Sequence, residues 1–194
     1  MGHLAYIFQR RNTILIIQVG SVLLLISTAL TWVTATGLPE TAAADELGLL
    51  GGEMSPTVRA MGLVGVAGGV AATIARKWVR GLIGAVLLGA AVISLIGAGL
   101  TLLEPAATAA PALAEYTGTT DPAAAYTPGF AVWLAILGAI MLLVSSLALL
   151  LFSPGWSDER TAKKYSRGRA GAENPDEIDL WDDLSDGDDP TARR

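Results

Sequence analysis

Four long apolar stretches constrain the fold of this chain more than any other feature of its sequence. They cover residues 13–35, 57–77, 81–103 and 129–152. Each is close to or longer than the ~20 apolar residues that an α-helix needs to cross the hydrocarbon core of a bilayer. The sequence therefore predicts an all-α membrane protein, a bundle of four transmembrane helices that is embedded in the lipid bilayer.

The basic residues lie almost entirely on one side of the predicted spans. They precede the first span, fill the turn between the second and third, and follow the fourth: Arg10, Arg11, Arg76, Lys77, Arg80, Arg160, Lys163 and Lys164. At the opposite ends of the spans, Arg59 is the only basic residue, whereas several acidic residues are present. Cytoplasmic loops carry an excess of Lys and Arg. We therefore predict a multi-pass protein of the inner (plasma) membrane with both termini in the cytoplasm (N-in/C-in).

This topology divides the chain into three parts. Residues 1–12 form a cytoplasmic N-terminus, residues 13–152 form the membrane domain, and residues 153–194 form a disordered cytoplasmic tail that contains a short helix. A secretory signal peptide is the competing interpretation of the first span, because an Arg pair precedes its apolar run. Signal peptides have apolar cores of only about 7–15 residues, so we prefer a membrane-spanning helix.

The segments between the spans carry few structural signals. The loops opposite the basic side, residues 36–56 and 104–128, are rich in Ala, Gly, Thr and Pro and show neither strand nor helix periodicity. We expect short structured loops at best. Four tryptophans fall near span ends, where indole rings favour the headgroup layer: Trp32, Trp78, Trp133 and Trp156.

The sequence offers little catalytic chemistry. Cysteine is absent, and the one histidine, His3, lies near the N-terminus. Ionisable groups in the middle of a span often mark proton or ion pathways, and these spans have none there. Four polar side chains in the spans are expected to form hydrogen bonds between helices: Gln18, Ser94, Ser145 and Ser146. We therefore predict no enzyme, catalytic residue, metal site or cofactor, and no nucleic-acid partner.

Small residues are concentrated in the second and third spans. Gly65 and Gly69 form a GxxxG step in the second, and Gly84 and Gly89 belong to a similar pattern in the third. Small residues allow close approach of helix backbones in lipid. These glycines are interpreted either as packing positions inside the protein or as a docking face for another membrane protein.

The C-terminal tail contains a capped helix pattern over residues 175–186. Asn174 is suited to the N-cap, and Gly187 follows the predicted end. An apolar side is formed by Ile178, Leu180, Trp181 and Leu184. Such a short helix is marginal alone in water, so we expect it to fold against a protein partner. A solubilising acidic tail is the alternative.

The tail also carries a family resemblance. The segments Leu180-Trp181-Asp182-Asp183-Leu184 and Gly187-Asp188-Asp189-Pro190-Thr191 resemble the ending of the tryptophan-operon-associated membrane proteins of actinobacteria. The resemblance implies a four-span protein and an association with tryptophan biosynthesis. It implies no catalytic residues.

Two functions follow as hypotheses. The first is a non-enzymatic membrane protein that docks a partner or serves as an accessory subunit of a membrane complex, linked through the resemblance to tryptophan metabolism. The second is a small carrier or exporter of an aromatic metabolite. The absence of charge in the middle of the spans, and of a broken helix pair, counts against the carrier.

Overall fold

The computed structural model describes residues 9–38 and 44–152, which all belong to one compact unit, Met1–Trp156. In chain order, the elements are α1 (Arg10–Thr28), β1 (Thr31–Thr36), β2 (Glu46–Leu50), α2 (Gly51–Met54), α3 (Pro56–Ile74), α4 (Lys77–Leu103), α5 (Pro105–Thr117), β3 (Ala125–Pro128) and α6 (Phe130–Phe152). The predicted tail helix, residues 175–186, lies outside the described residues.

Helices α1, α3, α4 and α6 are long and apolar enough to cross a membrane, which confirms the prediction of four membrane-spanning helices. Helix α1 contacts α3 and α6, and α4 contacts the same two helices. The helices therefore form a closed ring in which chain connectivity makes each helix antiparallel to its neighbours.

The first helix is shorter than the apolar stretch that predicted it. Helix α1 ends at Thr28, where the Ala29 N–H donates to the Ile26 carbonyl oxygen and the Leu30 N–H donates to the Ser27 carbonyl oxygen. The rest of the predicted span, which we placed at 13–35, belongs largely to strand β1. This strand is rich in β-branched residues, which favour pleated structure, and its apolar side chains pack inside the protein rather than against lipid.

The connections on one side of the bundle contain regular structure that we did not expect. Three antiparallel strands pair in the order β2-β1-β3. In the register of this sheet, Thr34 of β1 pairs with Gly48 of β2 and with Thr127 of β3. The expectation of short loops over residues 36–56 and 104–128 was therefore wrong. Strand pairing supplies the backbone hydrogen bonds that the local sequence pattern did not reveal.

Helix α5 packs beside this sheet. It buries Ala109, Ala112 and Leu113, which the i, i+3, i+4 spacing places on one face. It ends at Thr117 and is followed by the capping residue Gly118, whose φ of +69° is readily adopted by glycine. We use the name cap for β1, β2, β3, α2 and α5. All five lie in the α1–α3 and α4–α6 connections and therefore at the same end of the bundle.

Trp32 anchors the cap to the bundle. Its side chain is fully buried, and its Nε1–H donates to the Ser27 carbonyl oxygen at 2.9 Å. The expectation that Trp32 lies in the headgroup layer was therefore wrong. A side chain of this size contributes a large buried area, and a buried indole N–H requires an acceptor, which the end of α1 supplies.

Candidate functional site

The predicted packing glycines divide between the inside and the outside of the bundle. A Cβ atom on Gly65 would collide with Ser21 of α1, and one on Gly69 would lie 2.9 Å from Gln18 of the same helix. A Cβ atom on Gly84 would lie 2.9 Å from Leu150 of α6. The first three predicted positions therefore lie at helix contacts within the protein, whereas a Cβ atom on Gly89 would meet nothing within 4 Å.

Two glycines that sequence reasoning missed bring the backbones of α1 and α6 close together. A Cβ atom on Gly138 of α6 would lie 2.7 Å from the Gly20 carbonyl oxygen and 2.9 Å from the Leu24 nitrogen of α1. In reverse, a Cβ atom on Gly20 would lie 2.9 Å from the Gly138 carbonyl oxygen. Neither glycine belongs to a GxxxG step, so the sequence carried no signal that these distant positions meet.

One face of α4 presents small residues outward. Gly81, Ala85 and Gly89 follow at i, i+4 and i+8, which places them on one side of the helix. Ala85 is exposed, and Cβ atoms on Gly81 and Gly89 would meet nothing within 4 Å. We name these three residues the α4 stripe. Its backbone is accessible to another helix in the way that small-xxx-small patterns allow in lipid.

The polar groups inside the bundle mostly bond to their own helices. The hydroxyl groups of Ser21, Ser94 and Ser145 donate to the carbonyl oxygens of Ile17, Ala90 and Met141 at 2.7–2.8 Å. Gln18 alone behaves as predicted, because its Nε2 donates to the Val66 carbonyl oxygen of α3 at 3.3 Å. The interior serines therefore act within single helices rather than as a shared polar pathway.

The basic residues at the other end of the bundle have different roles. Arg80 is 2% exposed, and its Nε donates to the Ala75 carbonyl oxygen at 2.8 Å. Arg10 reaches from α1 to the Thr73 carbonyl oxygen near the end of α3. Arg11, Arg76 and Lys77 are exposed. Arg80 thus holds the α3–α4 turn in addition to its predicted influence on topology; Arg160, Lys163 and Lys164 lie outside the described residues.

The two tryptophans at the described ends of α4 and α6 lie on the surface. Trp78 is 94% exposed and follows Arg76 and Lys77, and Trp133 is exposed in the first turn of α6. Both positions suit an indole ring in the headgroup layer. Trp156 lies outside the described residues, as do the apolar tail residues that we predicted to bind a partner, Ile178, Leu180, Trp181 and Leu184.

In the cap, one acidic side chain joins two elements. The Tyr116 hydroxyl of α5 donates to Oε1 of Glu53 in α2 at 2.7 Å, and the Leu50 N–H donates to Oε2 of Glu53 at 3.2 Å. The hydrogen bond to Glu53 raises the pKa of Tyr116, and the negative charge of Glu53 acts in the same direction. Among residues 9–38 and 44–152, no three His, Asp or Glu side chains are grouped as metal ligands.

Comparison with known proteins places the chain in a family. No curated protein and no solved structure matched significantly. The sequence model of one family, described as "Tryptophan-associated transmembrane protein", matches residues 14–191. That match spans the four helices, the cap and most of the tail. The chain therefore belongs to the tryptophan-associated transmembrane protein family.

Proposed function

We propose that this chain is a non-enzymatic accessory protein of the inner membrane that docks a protein partner in a process linked to tryptophan metabolism. The observation that carries the proposal is the α4 stripe. Gly65, Gly69 and Gly84 are used for contacts within the bundle, whereas Gly81 and Gly89 face outward over open space. Close backbone packing is a main source of helix association in lipid, and this face has no partner among the described residues.

A second docking surface is the tail. Ile178, Leu180, Trp181 and Leu184 would form the apolar side of a helix over residues 175–186 that folds on binding. With both termini in the cytoplasm, as the basic residues favour, this helix would meet a cytoplasmic partner. The α4 stripe would meet a membrane-embedded one. The two surfaces are compatible with an accessory subunit of a larger complex.

The carrier hypothesis is the weaker one. Carriers of this kind typically use broken helices or polar groups near the middle of the membrane. In the described spans, α1, α3, α4 and α6 are each continuous, and the interior serines bond to carbonyl oxygens of their own helices. This arrangement favours a bundle that supports binding over one that opens a polar route.

Affinity isolation of the tagged full chain from its native membranes in mild detergent tests the proposal. The variant Gly89→Leu fills the α4 stripe, and Ala60→Leu adds the same side chain at an exposed position of α3 as a matched control. We expect quantitative mass spectrometry to show a membrane protein that co-purifies with the wild type and with Ala60→Leu and is depleted by Gly89→Leu. Equal recovery in all three forms would refute docking through this face.

Removing residues 171–194, or changing Trp181 and Leu184 to Ala, tests the tail in the same experiment. A cytosolic protein should be lost from these variants while the membrane partner remains. Recovery of every co-purifying protein without the tail would remove the tail from the proposal.

A further inference from the structure

A pocket of ≈ 450 Å³ opens on the membrane-facing side of the cap. It lies where the cap-side ends of α1 and α3 meet helix α2. Leu25 and Leu63 supply apolar lining, Glu53 and Arg59 supply one acidic and one basic side chain, and Thr28 and Gly52 also line the pocket. The volume falls within the roughly 300–1,000 Å³ of typical ligand pockets, which combine apolar walls with a few polar groups.

The two charges in this pocket do not neutralise one another. Among residues 9–38 and 44–152, no carboxylate oxygen lies within 4.0 Å of an Arg59 side-chain nitrogen, and an arginine side chain is always charged in proteins. Glu53 accepts hydrogen bonds on both oxygens, from the Leu50 N–H and the Tyr116 hydroxyl. These bonds fix the carboxylate in place without removing its charge. The pocket therefore presents a separated cation and anion.

The backbone of α2 makes room for the Arg59 side chain. A Cβ atom on Gly52 would lie 3.3 Å from Cδ of Arg59 and 3.1 Å from the Thr28 carbonyl oxygen. A larger residue at Gly52 would press on both sides of the pocket. The glycine thus keeps the pocket open between α1 and the arginine stem.

The depth of the pocket matches the boundary between headgroups and acyl chains. Arg59 lies in the first turn of α3, and Leu63 is one turn deeper, about 6 Å at 1.5 Å per residue. Leu63 is 58% exposed on the outer surface of a membrane-spanning helix. The charged part of the pocket therefore lies at headgroup level, and its apolar wall continues into the hydrocarbon region.

We propose that this pocket binds one phospholipid with an ethanolamine headgroup from the cap-side leaflet. The phosphate lies at the Arg59 guanidinium, which matches phosphate oxygens with paired N–H donors. The ammonium group lies towards Glu53, and the first acyl methylenes lie along Leu25 and Leu63. A purely anionic headgroup would be repelled by Glu53, and a choline headgroup has no N–H to donate. This inference is independent of partner docking.

Native mass spectrometry of the full chain, delipidated in detergent and resupplied with lipids of identical acyl chains, tests the proposal. We expect one tightly retained phosphatidylethanolamine and weaker retention of phosphatidylglycerol and phosphatidylcholine. Arg59→Gln should weaken retention of phosphatidylethanolamine about tenfold, as expected for loss of a charge-assisted hydrogen bond. Arg11→Gln, an exposed arginine on the opposite side of the bundle, is the matched control and should not change it.

Two further experiments test where the ammonium group lies and whether the acyl chains contribute to binding. Glu53→Gln should abolish the preference for phosphatidylethanolamine over phosphatidylglycerol, and soluble phosphoethanolamine at equal concentration should fail to displace the lipid. Unchanged retention in Arg59→Gln would overturn the proposal. An unchanged preference in Glu53→Gln would overturn the ammonium position, and displacement by phosphoethanolamine would show that the acyl wall contributes nothing and overturn the lipid assignment.

Discussion

The crossing of α1 and α6 allows a sharp test of how this bundle is held together. Gly138→Ala would place a methyl group 2.7 Å from the Gly20 carbonyl oxygen and 2.9 Å from the Leu24 nitrogen. Both distances are shorter than the roughly 3.5–4.0 Å at which heavy atoms attract. Because both neighbours are backbone atoms, they can yield only if the two helices separate.

The magnitude follows from two opposing effects. Overpacking typically costs about 1–3 kcal/mol, and a rigid backbone contact belongs near the upper end of that range. Replacing Gly by Ala within a helix returns about 1 kcal/mol of intrinsic preference. We therefore expect Gly138→Ala to lower the free energy of unfolding by about 2 kcal/mol.

The control is Gly89→Ala on α4, where the added methyl group would meet nothing within 4 Å. Only the helix preference remains there, so this variant should be unchanged or up to about 1 kcal/mol more stable. Equilibrium unfolding in mixed micelles, followed by circular dichroism, measures both. Equal stabilities of Gly138→Ala and Gly89→Ala would refute the close contact between α1 and α6.

Three further predictions concern the cap and the basic turn. Trp32→Phe removes the donor to Ser27 and should destabilise the protein by about 1 kcal/mol in the same unfolding assay. The packing contacts that the larger indole ring makes and the phenyl ring cannot make add to this cost. Glu53→Gln should lower the pKa of Tyr116 towards 10.0, measured by ultraviolet absorbance. Because the folded pKa is raised, the contribution of this hydrogen bond is present below pH 10.0 and is lost as pH rises through the folded pKa. Arg80→Gln should cost about 1.5–3 kcal/mol, since it removes a charged donor from a buried carbonyl; an unchanged unfolding midpoint would contradict that role.

The sequence was informative where a single local property decides the structure. Apolar length alone predicts four helices, because each backbone group in lipid must bond within its own segment. It failed at the end of α1, where residues 31–36 continue the stretch with three apolar residues and three threonines but pair as strand β1 with segments far along the chain. Strand β3 is only four residues long, and α5 contains an internal proline, Pro111, which argues against a helix when only the sequence is considered.

The candidate sites could likewise be predicted from the sequence only in part. The sequence identified small residues as packing positions, but it could not tell that Gly65 and Gly69 meet α1 while Gly89 faces outward. Arg59 stood out as a cation among acidic residues, yet its pocket depends on the short helix α2 and on Gly52, which only the folded cap positions. Such contacts combine distant segments, and no local pattern encodes them.

Site-specific photo-crosslinking in the native cells tests the central claim, that this protein docks a partner through the α4 stripe. A photoreactive amino acid replaces Ala85 within the stripe or, as a control, exposed Ala60 of α3. We predict a discrete protein adduct from position 85 and none from position 60. Adducts with lipid alone from both positions, or the same protein adduct from both, would contradict docking through this face.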